Sequence, residues 1–467
     1  MTKITFHGGV NEIGGNKILI ETSATRIFLD FGLSFAKFGR FYTDFLQPRV
    51  CNGIGDYLEL GIIPDIEGIY RNDLLANEGR KTFEKPEIDG ILLSHAHADH
   101  CSNISLLHKD IKIFCGETSK IILKALQETS PGMFYYDFYF YKENFVNRSK
   151  KPEIERSFHT FRTGDKIKIG DIEVEPIHVD HSIPGAYGFI IHMPNGCLAY
   201  TGDVRLHGPK GFMTKEFVEK ASKERVDILL CEGTKINEEE RGLSEEQVYS
   251  KLKEIINKTE NLVFANFQIK DVDRLNSFFR ACEECGRELA IPTKLAYLMK
   301  ELEKDKRLQI PRLGDVKIYL QKSGWGRYLP EDYSKWERDL LKYEFVTAED
   351  VSKSQSKYVV FMDFYDLKEL INIKPKEGSC YIFSTSEPHD EEEMIDFNRL
   401  NNWLKHFHLP LHAVHTSGHA NAEDIKEIVK DIDARKVVPI HTEHPLMFKK
   451  FFDNVIIPEE NKSISIY

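Results

Sequence analysis

The chain runs to 467 residues, 41% hydrophobic and 29% charged, with a formal net charge of −11. That length exceeds one ordinary core and predicts two domains, while the acidic balance argues against a general polyanion binder working through a broad basic face. The eight cysteines form no disulfide framework, no apolar run is long enough to span a bilayer, and Met1-Thr2-Lys3-Ile4 opens no signal peptide, so a cytoplasmic protein with no membrane partner is expected.

Along residues 3–32, alternating apolar positions broken by Gly8-Gly9 and Gly14-Gly15 predict two or three short strands. Asp30 ends one of them, either as a turn acid or as a carboxylate that steadies a neighbouring site. Residues 33–85 are irregular, with Phe35, Lys37, Phe38, Arg40, Phe41 and Tyr42 interleaved. The segment reads equally as a lid or partner surface and as loose packing over the core. The aromatic run at 133–145 reads as core.

Farther on, strand and helix alternate. Strands are expected at 226–231, 261–267, 287–291, 358–364, 380–386 and 437–440. Helices open with a Ser244/Gln247 capping box, with Asp271 and with Asn421. The pattern is α/β from end to end. Cys282 and Cys285 form a CxxC on the last turn of the helix after Asp271. With no second pair nearby, they read as a helix face rather than a metal site.

The densest chemistry is ILLSHAHADH, residues 91–100. Ile91-Leu92-Leu93 reads as a buried strand end, so His95, His97, Asp99 and His100 emerge onto a loop. Crowding three imidazoles and a carboxylate together is costly unless a metal binds them. The first two histidines can hold one ion, and the Asp-His pair turns toward a second. A tetrahedral ion on His95 and His97 needs a further protein ligand. His181 supplies it, because it follows a strand and precedes a roomy Ser182-Ile183-Pro184-Gly185 turn; the competitor, His178, sits within the strand pattern. Asp203, at the end of an apolar strand in CLAYTGD, can bridge two cations. Such cations also put positive charge where a phosphate would sit on an acidic protein.

HAHADH, HSIPGAYGF and TGD, in this order, resemble the metallo-β-lactamase superfamily, whose fold is an αβ/βα sandwich with its site at the edge. The resemblance implies His95, His97 and His181 on a first zinc, Asp99 and His100 on a second, and Asp203 bridging. Glu232 in LLCEGT, His419 in HTSGHA and His441 in VVPIHTEHP resemble the acid-His-His motifs of the β-CASP nucleases. The likeness is closest to the ribonuclease J group, archaeal members included, and GGVNEIGGNKILIE at the start reads the same way. That branch inserts a second α/β domain. Here it implies a lactamase domain over 1–234, the β-CASP insertion over 235–407 and a lactamase return segment over 408–467.

Each of these residues also has a physical reading of its own. His441 can complete the second metal's shell at a strand end. His419, in the Ser417-Gly418-His419-Ala420 turn, can offer backbone N–H groups and an imidazolium to a phosphate. Glu232 can hydrogen-bond that imidazole and keep it a proton donor. Ser182, Ser417, Gly418 and Asn266 are expected phosphate contacts. His406, His408, His412, His415 and His444 match no ligand motif.

The resemblance therefore implies a two-zinc ribonuclease, with manganese as the other metal suited to the sites and RNA as the partner. A hydroxide bridging the metals would attack phosphorus in line, with Asp99 or Asp203 orienting and deprotonating it. His419 would stabilise or protonate the leaving oxygen. His441 favours RNA over DNA, because the DNA-repair branch usually carries an aliphatic residue there. The group's habits imply a 5′→3′ exonuclease with additional endonuclease activity, and a homodimer.

Two other readings compete with this one. A small-molecule hydrolase of the lactamase or glyoxalase type leaves SGHA and the insertion unexplained. A β-CASP paralogue that binds RNA without cutting it would typically have lost metal ligands, which are all present here. The chain departs from the bacterial pattern twice. It stops about 26 residues after His441, short of the bacterial C-terminal domain, and it reads FANFQIKDVDR where the group usually has a small, serine-containing strand end beside the 5′-phosphate pocket.

Overall fold

The computed structural model of the protein describes residues 2–43, 45–143, 153–238, 242–388 and 391–466. The chain divides into two compact units. The first comprises Met1–Leu206, Lys210–Arg241 and Gly418–Tyr467; the second comprises His207–Pro209 and Gly242–Ser417. The insertion expected at 235–407 thus compares with a second unit whose main stretch starts at Gly242 and ends at Ser417.

In the first unit, a seven-stranded sheet runs in the order Ser463–Ile466, Thr2–Gly8, Lys17–Glu21, Arg26–Leu29, Gly90–Leu93, Lys112–Gly116, Phe158–Phe161. A six-stranded sheet runs Lys436–Ile440, Val226–Glu232, Gly196–Tyr200, Tyr187–Met193, Ile172–His178, Ile167–Ile169. Side-chain alternation explains how these two sheets pack. Leu198, Tyr200, Ile228, Leu230, Val438 and Ile440 point into one core shared with Ile4, Ile18, Ile27 and Leu92 of the other sheet. Their neighbours Cys197, Ala199, Leu229, Cys231 and Val437 point the opposite way. There they meet Phe217 and Val218 from the helix Gly211–Lys223, and Ile425, Ile428 and Val429 from the helix Ala422–Ile432. A sheet-on-sheet sandwich with helices outside follows from that two-sided burial.

Parallel pairing is what gathers the chemistry. Arg26–Leu29, Gly90–Leu93 and Lys112–Gly116 are mutually parallel neighbours. So are Gly196–Tyr200, Val226–Glu232 and Lys436–Ile440. Parallel strands end side by side, so Asp30 and Ser94 emerge together, as do Asp203, Glu232 and His441.

The second unit carries a seven-stranded sheet in the order Phe345–Val346, Lys317–Tyr319, Glu288–Pro292, Tyr358–Phe361, Val263–Asn266, Cys380–Phe383, Leu411–Ala413. All its described ladders are parallel. Its first long helix, Glu245–Lys258, opens with the expected Ser244/Gln247 capping box. Asp271 caps Val272–Glu284, as Asn421 caps Ala422–Ile432 in the first unit.

Residues 33–85 divide between the two readings. Ile54, Tyr57, Ile62, Ile69, Tyr70 and Leu74 are buried, whereas Phe35, Phe41, Phe45 and Leu46 are exposed. In the aromatic run Phe134, Phe138 and Tyr141 are buried, and Arg71 stacks 3.7 Å from the Tyr141 ring centre. Residues 144–145 lie outside the described residues. Cys282 is a buried thiol in the helix Val272–Glu284, and both it and Cys285 are free. No helix of the structure, among the described residues, is long and apolar enough to cross a membrane.

Candidate metal centre

Three groups of possible ligand atoms lie at the strand ends of the first unit: two that share Asp203, and a third of Glu232, His419 and His441. His95, His97, His181 and Asp203 have one ligand atom each within 4.8 Å of one another, and so do Asp99, His100, Asp203 and His441. In the first set, His97 Nδ1 lies 3.1 Å from His95 Nε2 and 3.0 Å from His181 Nε2. Asp203 Oδ2 stands 3.5 Å from His95 Nε2 and 3.7 Å from His181 Nε2. In the second, His441 Nε2 is 3.0 Å from Asp99 Oδ2 and 3.7 Å from Asp203 Oδ2. His100 Nε2 is 3.1 Å from Asp203 Oδ2 and 3.6 Å from Asp99 Oδ2.

Ligands bound tetrahedrally to zinc at ordinary Zn–N and Zn–O lengths lie about 3.3 Å from one another. The separations match that edge length, and Asp203 Oδ2 belongs to both sets. Three buried atoms at the point of convergence, His100 Nε2 and both carboxylate oxygens of Asp203, have no hydrogen-bond partner among the described residues. Orphaned buried polar atoms are costly in a folded protein. A pair of divalent cations would satisfy them.

The far ring nitrogens set the tautomers. His100 Nδ1 donates to Asp30 Oδ2 at 2.7 Å, and His181 Nδ1 donates to the Gly418 carbonyl at 2.6 Å. Ser94 Oγ donates to Asp30 Oδ2 at 2.8 Å, which leaves it to accept from His95 Nδ1 at 3.0 Å. Thr234 Oγ1 donates to Glu232 Oε2 at 2.7 Å and accepts from His441 Nδ1 at 2.9 Å. In each case the proton sits on the outer nitrogen and the lone pair of Nε2 points inward, as a metal ligand requires.

Burial drives the His95 imidazole well below its ordinary range and His181 down to about 4, so both stay neutral. For His100 burial works the same way, but Asp203, Asp99 and Asp30 outweigh it and raise the group. Burial likewise opposes the charge of Asp203 and Asp99, and His100 heads the groups that hold both carboxyls below the usual range.

Asp30 is more than a turn acid. Fully buried, it also accepts from Ser94 N at 2.7 Å and from the Tyr200 hydroxyl at 2.5 Å. Burial, and then Asp30, raise the Tyr200 phenol well above its normal value, so it remains a donor. Asp30 and His441 both hold left-handed backbone, at φ +55° and +53°. Such residues cost on the order of 1–3 kcal/mol and persist where the surroundings impose them. Asp30→Asn is expected to weaken metal binding at the Asp99/His100/His441 set about 10- to 100-fold, as read by competition with a chelating dye. Unchanged affinity would leave Asp30 a structural turn acid.

His419 stands beside the second set. Its Nδ1 donates to Glu232, 3.1 Å from Oε2 and 3.2 Å from Oε1, and it lies 3.9 Å from Asp203 Oδ2. Burial lowers the imidazole, but the Glu232 charge and hydrogen bond outweigh it, with Asp203 and Asp99 behind them, and raise the group to about 9. Glu232 is itself buried and pinned by Val204 N at 2.8 Å.

Gly418 must be glycine here, because a Cβ would lie 2.6 Å from Ser182 Oγ and 2.9 Å from His181 Cε1. Ser182 and Gly418 are therefore brought together beside His181. Ser417 and Asn266 belong to the second unit, where the Ser417 carbonyl accepts from His207 Nε2 at 2.9 Å and Asn266 ends a strand. His178, the rejected competitor, bonds Thr163 Oγ1 at 2.9 Å and joins neither ligand set.

The sequence reading missed Tyr200, Ser94 and Thr234. Each is an ordinary residue next to a motif, and its role depends on a partner elsewhere in the chain. It also took Gly14 only for a turn. With φ +77°, Gly14 lets the loop approach Asp99, whose Cβ and Oδ2 would each lie 2.6 Å from an added Cβ.

Residues 68–257 match the β-lactamase superfamily domain, and residues 409–449 match the Zn-dependent metallo-hydrolase RNA specificity domain. Ribonuclease J of Thermus thermophilus is 25% identical, over 98% of this chain and 71% of that protein. Ribonuclease J of Helicobacter pylori is 23% identical, over 98% of this chain and 59% of its own length. A crystal structure of an Enterococcus faecalis protein of unknown function shares the fold at a TM-score of 0.75, with 24% identity and 99% of each chain covered. The chain carries a β-lactamase superfamily domain together with the RNA specificity domain, and it is similar to ribonuclease J proteins over nearly its whole length.

Proposed function

We propose that the chain is a zinc-dependent ribonuclease that hydrolyses RNA phosphodiester bonds, as a 5′→3′ exonuclease with additional endonuclease activity. The observation that carries this reading is the His419–Glu232 pair beside two ligand sets that share Asp203. The match to the RNA specificity domain and the likeness to proteins named ribonuclease J support RNA as substrate.

His95, His97 and His181 would hold one zinc and Asp99, His100 and His441 the other, with Asp203 between them. Bound there, the pair would supply charge for a phosphoryl oxygen and a water of lowered pKa. The chain's own groups do the rest. Asp99 or Asp203 orients the attacking water and accepts its proton. His419, kept cationic by Glu232, holds a proton for the leaving oxygen and stabilises the charge that develops on it. Ser182 and the backbone at Gly418 contact the phosphate. A cytoplasmic homodimer belongs to the same reading, by likeness to the ribonuclease J group.

Side-by-side assays test it, with zinc-loaded chain on 5′-monophosphate, 5′-triphosphate and circular RNA and on matched DNA. Linear RNA is expected to be shortened from its 5′ end, circular RNA to be cut more slowly, and chelation to stop both. Failure to cut any of these, or a preference for DNA, would contradict the reading.

A further inference from the structure

The carboxyl ends of the parallel strands in the second unit open onto a cavity of about 940 Å³. Asn266, Pro292, Phe361 and Phe383, each the last residue of its strand, line it. The strand order turns back here, with Tyr358–Phe361 lying between Val263–Asn266 and Glu288–Pro292. Open α/β sheets take their ligands at such a point.

The lining selects a ligand by shape and by hydrogen-bonding sense. Phe267, Phe383, Phe397 and Trp336 give aromatic walls suited to a flat ring. The polar part is rich in acceptors. Asn266 Oδ1 is buried with no hydrogen-bond partner among the described residues. Asp363 and Asp366 lie together at the start of a helical turn, where Asp363 Oδ1 accepts from Tyr365 N and Asp366 N, Asp366 Oδ2 accepts from Asp363 N, and Gln321 Nε2 donates to Asp366 Oδ1. Burial first, and then the neighbouring Asp363, push Asp366 up to about 6.

The lysines of the lining, Lys294, Lys322 and Lys368, are exposed. The inner acceptors, Asp363, Asp366 and Asn266 Oδ1, would meet a phosphate acceptor against acceptor. The ligand that fits is flat, aromatic and carries adjacent N–H donors. Among nucleobases that is guanine, whose N1–H and N2 amino group form a parallel pair matched to a carboxylate. Adenine, cytosine and uracil each mix one donor position with acceptors on the same edge.

We propose that this cavity is a binding site for a guanine base, stacked on the aromatic walls, with the Asp363–Asp366 carboxylates accepting from its N1–H and N2 amino edge. Asn266 then serves as an acceptor for the base rather than as a phosphate contact. The substitution of Asn266-Phe267-Gln268 for a serine-containing strand end acquires a reason, since Phe267 adds a wall. The site stands apart from the nuclease reading, because a nucleoside has no bond for the enzyme to cut.

The test is equilibrium binding of guanosine, inosine and adenosine to the full-length, metal-loaded chain. It is followed by calorimetry and by the fluorescence of Trp336, with inorganic phosphate as competitor. Guanosine is expected to bind at one equivalent, at least about tenfold tighter than inosine, which lacks only the N2 amino group, and than adenosine. Phosphate is expected not to displace it, and Asp366→Asn to lose at least about tenfold in guanosine affinity. The comparison of nucleosides needs no variant, so a misfolded Asp366→Asn would not blur it. No guanosine binding, equal binding of adenosine or inosine, displacement by phosphate, or full affinity in folded Asp366→Asn would each overturn the proposal. Guanosine binding by a chain that cuts no RNA would leave this site standing while the nuclease reading fell.

Discussion

Asp203→Asn is expected to lower RNA cleavage by about three to five orders of magnitude and to abolish the thermal stabilisation that zinc confers. Asp203 Oδ2 is the one atom within reach of both ligand sets, 3.1 Å from His100 Nε2 and 3.5 Å from His95 Nε2. An amide keeps the shape but removes the charge that two cations share. Metal assistance is worth several kcal/mol of transition-state charge stabilisation, and 1.36 kcal/mol is a factor of ten in rate, which gives the size of the loss. The stability readout separates a ligand from a structural role. The zinc-dependent shift is read against each protein's own metal-free melting point, because Asp203 also pairs with His100 at 3.1 Å in the metal-free fold. In the wild type, zinc at a hundred times its Kd should add about 2.7 kcal/mol per site. Melting curves with and without zinc check this, and a variant that keeps the full zinc-dependent shift would show that Asp203 is no ligand.

His419→Ala is expected to keep both metals and lose about 10²- to 10⁴-fold in turnover, the usual span for a positioned acid or base. His419 joins neither of the two ligand sets that share Asp203, and its ring keeps 21% of its side-chain surface exposed. It contacts Glu232 through Nδ1, so the opposite edge of the ring is the one to meet a leaving group. Glu232→Gln should lose less, because the imidazole stays in place while its cation loses its partner. Metal content measured alongside cleavage rates distinguishes the roles. Near-normal turnover by His419→Ala, or loss of zinc from it, would sink the assignment.

The parts of the centre legible in the sequence are those held by local rules. HAHADH declares itself because ligands two to five residues apart on one loop share a neighbourhood whatever the fold. His181 could be preferred over His178 because one lies past a strand end and the other within it, and His178 indeed spends its Nδ1 on Thr163. Asp203 and His441 were legible as strand-end polar residues after apolar runs. What could not be read is the support around them. Tyr200 reads as an inward core aromatic, and only the packing of its sheet against the one that carries Arg26–Leu29 brings its hydroxyl to Asp30. Thr234 reads as a loop residue until His441, more than two hundred positions later, pairs alongside Glu232. The strand Ser463–Ile466 is short and half polar, and it exists because Thr2–Gly8 offers it an edge. Strand limits moved for a similar reason: the run expected at 358–364 stops at Phe361, where Asp363 caps a turn of helix.

The central claim is that two ions sharing Asp203 make this chain a ribonuclease. Titrating metal-free chain with zinc, while following bound metal and cleavage of a 5′-monophosphate RNA in the same samples, tests it most directly. The account predicts binding that saturates at two equivalents per chain, with cleavage appearing as the second equivalent is taken up. Full cleavage at one equivalent, or two equivalents bound with no cleavage, would contradict it.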